Sequence, residues 1–228
     1  MIPDVSGLAR LLADPGRARM LTYLMHHETA TATQLANSAG LSAQAASNHL
    51  TQLAHNQLVT YQVEGRFRHY RLFDAQIAHV IESLMVCVRQ HSTSPIFMDQ
   101  DDIQRLRLAR TCYDHMAGIL GVRLKDAFIT HGFIVDTPEG MTLTPQGHQW
   151  LHDQLSIEVS CLQDKPCMQS CADWSERSYH LAGSLGRELH RAFRQRGYIK
   201  ATQRTNHLQI TSAGHTFLYR QLGILISL

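Results

Sequence analysis

The hydrophobic pattern changes period several times along the chain. Behind Asp14-Pro15, positions Ala18, Leu21, Leu24 and Met25 recur at helical spacing. Asp can cap a helix and Pro at its first position gives up no needed donor, so a helix starts there. "TATQLANSAG" (31–40) predicts a short helix with Leu35 and Ala36 inward, closed by Gly40 in a positive-φ turn. Ser42 then caps "AQAASNHLTQLAH" (43–55), whose Ala46, Leu50 and Leu53 form one apolar stripe. A short helix, a glycine turn and a longer helix is the layout of a helix-turn-helix. From residue 58 the period drops to two: Val59, Tyr61 and Val63 alternate, Glu64-Gly65 turns, and Phe67 to Leu72 returns. The helical period resumes in "FDAQIAHVIESLMVCVRQH" (73–91), where Ile77, Val80, Ile81, Leu84, Met85 and Val88 form a stripe long enough to need a partner surface.

The second half repeats itself. "HMAGILGVRLKDAFITHGFI" (115–134) aligns without a gap with "HLAGSLGRELHRAFRQRGYI" (180–199) at an offset of 65, and "LTPQGHQWL" (143–151) with "ITSAGHTFL" (210–218) at an offset of 67. Such self-similarity marks an internal duplication. Each copy reads as helix, hairpin, helix, with Gly132 or Gly197 ending the first helix and Thr144 or Thr211 capping the last. The hairpin turns are "DTPEG" (136–140) and a stretch near "QRTN" (203–206). The fold class expected is mainly α with small β-hairpins (α+β): an N-terminal winged helix-turn-helix and a C-terminal tandem helix-hairpin-helix repeat. The boundaries expected are 1–92 for DNA binding and dimerisation, 93–104 as linker, and 105–228 as a duplicated sensory domain. Its repeats lie at about 110–158 and 171–228. Two such copies leave a cleft between equivalent faces, where ligands commonly bind. His115 and His180 either line that cleft as a matched pair or serve as caps or core.

The outer face of helix 43–55 carries Gln44, Ala45, Ser47, Asn48, Thr51 and Gln52. It has no charge and no large apolar group, whereas a merely solvated helix face usually carries Lys and Glu in pairs. Gln and Asn make bidentate bonds to adenine, Ser and Thr bond either base type, and Ala meets a thymine methyl. Arg66, Arg68 and Arg71 cluster at or just past the hairpin turn, placed to hold phosphate beside the groove. The DNA-binding set expected is Ser42, Gln44, Ala45, Ser47, Asn48, His49, Gln52, Arg66, Arg68 and Arg71. A net charge of only +2 does not oppose this, because a basic patch can sit on a near-neutral chain.

"DPGRARMLTYL", "LANSAGLSAQAASNHLTQL" and "EGRFRHYRL" resemble the ArsR/SmtB family of winged-helix repressors over about residues 5–92. The matching positions are Asp14-Pro15-x-Arg17 with Leu21 and Leu24, Ser47-x-His49-Leu50-x-x-Leu53, and Gly65-Arg66-x-x-x-Tyr70-x-Leu72. The resemblance implies a homodimer on a palindromic double-stranded operator, released when a chemical signal binds, with the first and last helices of the domain as dimer contacts. Two metal sites characterise the family, and the chain departs from both. "TQLANSAG" has no thiol where the family places Cys-x-Cys. Asp74-Ala75-Gln76 lacks the histidine of the Asp-x-His pair, although His79-x-x-Glu82 is present. Sensing is therefore expected elsewhere.

Three of the five cysteines lie in "CLQDKPCMQSCADW" (161–174), between the two copies. Lys165-Pro166 breaks any helix, so the stretch reads mostly as loop, with Cys167 and Cys171 on one helical face if a helix starts after Pro166. Cys161, Cys167 and Cys171 lack the paired spacing of structural zinc, and three thiolates suit a soft ion such as trivalent arsenic or mercury. Cys112 can approach if the starts of the copies are neighbours. Two nearby thiols, with Lys165 or Arg177 lowering a pKa, equally make a reversible disulfide or persulfide switch. The candidate sensor residues are thus Cys112, Cys161, Cys167, Cys171, His115 and His180, with no metal certain and no cofactor required.

A thiol-based or soft-metal sensor competes here with a repressor that takes an organic effector in the cleft. No run is apolar enough to span a membrane, and "MIPDVSGLARLLADPG" (1–16) lacks the basic and apolar regions of a signal peptide, so the expected location is the cytoplasm. An enzyme is not expected, because Asp114 beside His115 is the only acid–base pair of note and nucleophile motifs are missing. An architectural DNA binder without an effector is the other alternative.

Overall fold

In a computed structural model of the chain, residues 4–91, 100–137, 140–158, 167–202 and 206–226 are described. They fall into two units, Met1–Ile81 and Glu82–Leu228.

The first unit begins with α1 (Ser6–Leu12) and α2 (Pro15–Met25). Asp14 caps α2 as expected, accepting from the Arg17 backbone N–H at 2.9 Å. A two-residue strand, β1 (Ala30–Thr31), precedes α3 (Ala32–Ala39), and Thr31 forms a capping box with Gln34. Gly40 has φ 67°, and the chain turns there into α4 (Ala43–His55), capped by Ser42. Ala46, Leu50 and Leu53 are buried, with Met20, Leu21, Leu24 and Leu35 of the helices before them. Strands β2 (Val59–Glu64) and β3 (Phe67–Leu72) form the expected hairpin, which turns at Gly65 with φ 60°. Period-two reasoning misses β1, which pairs with β3 through Ala30 opposite Tyr70, because two residues carry no readable alternation. Helix α5 (Ala75–His91) crosses the boundary between the units.

The second unit continues with α6 (Gln100–Leu108), so residues 100–104 of the expected linker are helical, and 92–99 lie outside the described residues. Next come β4 (Arg110–Cys112), β5 (His115–Ala117), α7 (Gly118–Thr130), β6 (Ile134–Thr137), β7 (Gly140–Leu143) and α8 (Pro145–Leu155). The same order of hairpin, helix, hairpin and helix recurs in β8 (Gln169–Asp173), β9 (Ser178–Ala182), α9 (Gly183–Gln195), β10 (Ile199–Ala201), β11 (Leu208–Ile210) and α10 (Ser212–Leu222). Matched positions do matched work. Thr144 and Thr211 each donate to the carbonyl of the preceding turn glycine at 2.7 Å, and each caps the following helix. Leu120 and Leu185, Leu124 and Leu189, and Phe128 and Phe193 enter one shared core.

Two expectations are corrected here. Each run opens with a hairpin that the helix-hairpin-helix reading lacked, since strands of three to five residues carry too little alternation to register. Within the described part of the cysteine stretch, Gln169–Asp173 form a strand where loop or helix was expected. Cys171 lies in β8, in register opposite His180 in β9. Cys161 and the Lys165-Pro166 break lie outside the described residues, as do Pro138-Glu139 of one expected turn and residues 203–205 of the other.

Candidate functional site

The first candidate site is the outer face of α4 with the β2–β3 tip. Ser42, Gln44, Ser47, Asn48, Thr51 and Gln52 are exposed, and Ala45 is half-buried. Gln44 Nε2 donates to Asn48 Oδ1 at 3.3 Å, a weak bond between neighbours that a base edge can replace. His49 and Gln52 differ from the others. Arg17 Nη1 lies 3.3 Å from His49 Nδ1 and donates to Gln52 Oε1 at 3.0 Å, while Arg17 also bonds the carbonyls of Leu11 and Arg10. His49 Nε2 sits 3.8 Å from Asp14. The expected recognition residues therefore divide: Gln44, Ser47 and Asn48 face outward freely, whereas His49 ties α4 to α2. At the wing, Arg66, Arg68 and Arg71 are all exposed. Arg68 lies over the Tyr61 ring at 4.6 Å and Arg66 over Phe67 at 5.1 Å, which holds both guanidiniums out along the hairpin.

The second candidate site lies in the C-terminal unit, where two hairpins each deliver a cysteine and a histidine. Cys112 pairs with His115 across β4–β5, and Cys171 with His180 across β8–β9. The four ligand-capable atoms lie within 4.8 Å of one another, and all four residues are buried. Glycines allow this approach. A Cβ on Gly121 of α7 would stand 2.3 Å from the Met116 carbonyl oxygen and 3.1 Å from the His180 Cβ. A Cβ on Gly186 of α9 would stand 2.5 Å from the Leu181 carbonyl oxygen and 3.2 Å from the His115 Cβ. Each helix thus seats the hairpin of the other run.

Carboxylates surround the cluster. Asp114 Oδ1 lies 3.0 Å from His115 Nδ1, and Asp173 Oδ2 lies 3.0 Å from His180 Nδ1. The two imidazoles meet through Nε2 atoms 3.1 Å apart. Asp173 also accepts from the backbone N–H groups of Gly118, Ser175 and Glu176. The Arg110 guanidinium, 0% exposed, lies 3.1 Å from Asp173, donates to Glu82 at 2.8 Å and to Ser175 Oγ at 2.9 Å, and stacks on Trp174. Cys112 Sγ donates to the other Glu82 oxygen at 3.5 Å.

The electrostatics follow from these contacts. A hydrogen bond with Cys171, burial and the Glu82 carboxylate push the Cys112 thiol well above its usual pKa. The His115 imidazole pulls it the other way without prevailing; Arg177 is not among the groups that act on it, and Lys165 lies outside the described residues. Burial works against charge on His115, yet the Cys112 sulfur and Asp114 raise its pKa to about 10. Burial lowers His180 to about 3 despite its bond to Asp173. Burial opposes the Asp173 carboxylate as well, but His180, Arg110 and Ser175 hold it well below the usual range.

Of the six expected sensor residues, the fold brings together Cys112, His115, Cys171 and His180. Cys167 is half-buried and stands apart: its carbonyl accepts from Leu185 N–H and Ser184 Oγ at the start of α9. The expected thiolate set Cys161, Cys167 and Cys171 is therefore not assembled among the described residues. Sequence reasoning missed Asp173, Arg110 and the burial of Glu82. One signal was available: Cys112-Tyr113-Asp114 and Cys171-Ala172-Asp173 share Cys-x-Asp, each followed by a histidine on the returning strand. Among the described residues, no helix is long and apolar enough to cross a membrane.

Residues 12–62 match the family described as "Helix-turn-helix domain". An uncharacterised HTH-type transcriptional regulator from Bacillus subtilis, YdfF, is 31% identical over 228 residues, covering 99% of this chain and 100% of that protein. Among solved structures, the homodimeric winged helix-turn-helix DNA-binding domain of a Mycobacterium bovis protein is 24% identical, with TM-score 0.36, over 38% of this chain and 80% of its own. The AntR antimony-specific transcriptional repressor is 29% identical, with TM-score 0.35, over 38% of this chain and 78% of its own.

Proposed function

The chain belongs to the helix-turn-helix transcriptional regulators, and from that premise we propose that it is a homodimeric repressor of ArsR/SmtB type, released from its operator by a chemical signal. It acts in the cytoplasm, as a regulator and not as an enzyme. Residues 1–92 bind DNA and dimerise, and residues 105–228, a tandem duplication, form the sensory domain.

The observation that carries the reading is the α4 face. Gln44, Ser47 and Asn48 are exposed, uncharged and free of large apolar neighbours, on a helix whose opposite side is buried. Such a face suits the major groove, and the arginine-tipped hairpin suits the flanking phosphates. Dimerisation is supported by α5, where Val80, Leu84 and Val88 stand 39%, 45% and 56% exposed along one stripe. A second copy covering that stripe produces the two-fold symmetry that a palindromic operator requires. The buried Cys112, His115, Cys171 and His180 cluster supports a sensor based on thiol or metal chemistry, because it brings two cysteines and two histidines to one point.

Fluorescence anisotropy of the full chain on the DNA upstream of its own gene, at fixed salt, tests the regulator. Preference for that duplex over an unrelated one is expected, and equal affinity for both overturns the reading in favour of an architectural binder. Release by a mild oxidant or a thiophilic metal, reversed by reductant or chelator and absent in the Cys112→Ser/Cys171→Ser variant, is expected of the sensor. Unchanged affinity under every treatment overturns the sensing part alone.

A further inference from the structure

We propose that Cys112, His115, Cys171 and His180 bind one divalent metal ion of the zinc class in tetrahedral coordination, at a place in the chain unlike either metal motif of the resembled family. The geometry supports it first. Four ligands about zinc at ordinary bond lengths put two nitrogens about 3.3 Å apart and two sulfurs about 3.8 Å apart. The two Nε2 atoms here lie 3.1 Å apart, and every pair of ligand atoms is within 4.8 Å.

The orientation of the two rings supports it second. Each Nδ1 lies 3.0 Å from a carboxylate oxygen, which can only accept, so the carboxylates favour the hydrogen on Nδ1 and leave Nε2 for the ligand side. The two Nε2 atoms then point at one another across 3.1 Å and share one proton in the metal-free chain, a place that a metal ion accepting both lone pairs can take over. Asp114 and Asp173 stand where the outer carboxylates of zinc-bound histidines stand, fixing the tautomer and strengthening the donor. An entering ion of charge +2 displaces to solvent the two thiol protons and the proton held between the Nε2 atoms, and takes both lone pairs, leaving the four-ligand centre neutral.

Chemistry selects the class of ion. Two thiolates and two imidazoles are a borderline donor set, suited to zinc, with cobalt or cadmium as substitutes, in place of the soft three-thiolate trap that the cysteine spacing suggested. All four positions come from protein and all four residues are buried, which describes a closed centre with no place for a reacting water. The ion also changes the bonding of α5. The hydrogen that Cys112 donates to Glu82 is lost when the thiol ionises, and Glu82 keeps Arg110 as its partner. Glu82 shares α5 with the exposed stripe Val80, Leu84 and Val88, so occupancy is felt on the helix assigned to dimerisation. That regulatory meaning rests on the reading of the cluster as the sensor, whereas metal affinity is measured without DNA, so the two fail separately.

The full chain, stripped with a chelator and held reduced, is titrated with cobalt(II). Expected are saturation at one ion per chain, the intense visible bands of four-coordinate cobalt, a sulfur-to-metal charge-transfer band, and bleaching by one equivalent of zinc. Cys167→Ser should bind unchanged, and Cys171→Ser and His180→Gln should lose the bands. If these two fail to fold, Asp114→Asn, which keeps all four ligands, should still weaken cobalt about 10–100-fold. A weak octahedral spectrum, no uptake by the reduced wild type, or loss of the bands in Cys167→Ser overturns the site.

Discussion

Replacing Arg110 with methionine keeps most of the side-chain volume and removes the charge. The guanidinium is fully buried and bridges Glu82 at 2.8 Å and Asp173 at 3.1 Å, both carboxylates themselves 1% exposed or less. The variant leaves two ionised groups in a dry interior with their shared counter-ion gone. Breaking a buried pair from one side costs about 3–5 kcal/mol, because the surviving charge is uncompensated. For a unit of this size each kcal/mol lowers the midpoint by roughly 2–4 °C, so melting should fall by about 6–20 °C. Chemical denaturation followed by circular dichroism, with the protein kept metal-free, measures it. Adding Glu82→Gln removes one of the stranded charges, so the double variant should recover about 0.5–3 kcal/mol relative to additivity. A loss below about 1 kcal/mol for Arg110→Met, or strict additivity with Glu82→Gln, refutes the reading of Arg110, Glu82 and Asp173 as buried charges that compensate one another.

The remaining expectations concern packing, capping and DNA. Gly186→Ala places a methyl 2.5 Å from the Leu181 carbonyl oxygen and should destabilise by about 1–3 kcal/mol in urea melts. Gly7→Ala, with nothing within 4 Å on exposed α1, should be neutral or stabilise slightly. Thr211→Val removes the bond from Thr211 Oγ1 to the Gly197 carbonyl and the cap on Gly214 N–H, at a cost of about 0.5–2 kcal/mol in the same assay. On operator DNA, Asn48→Ala should cost about 1–3 kcal/mol at one base position, visible by comparing operator variants. Arg68→Ala should weaken all sequences alike and reduce the slope of log K against log salt by about one, seen in anisotropy at several salt concentrations.

Much of the N-terminal unit is legible locally, because its signals act over a few residues. The Asp14 cap, the positive φ of Gly40, the Ser42 cap and the stripe Ala46, Leu50 and Leu53 each depend on neighbours within two turns. The same holds for Thr144 and Thr211 and for the gapless alignment around them, which the shared element order of the second unit parallels. His49 shows where local reading stops. It lies on the recognition helix, but Arg17 and Asp14, more than thirty positions away, turn it inward.

The candidate centre is the larger case. From the sequence alone, Cys161, Cys167 and Cys171 are the natural thiol group, because they are close along the chain. Tertiary structure chooses Cys112 with Cys171 and His115 with His180, pairs about sixty positions apart. Two things decide it that no periodicity encodes. Strand register sets Cys112 opposite His115 and Cys171 opposite His180. The packing of α7 and α9, each against the other run's hairpin at a glycine, then closes the two pairs onto one point. Sequence determined the chemistry available, down to the paired Cys-x-Asp motifs. Only the fold decided which of those groups share a site, since proximity in a core is set by long-range packing and not by distance along the chain.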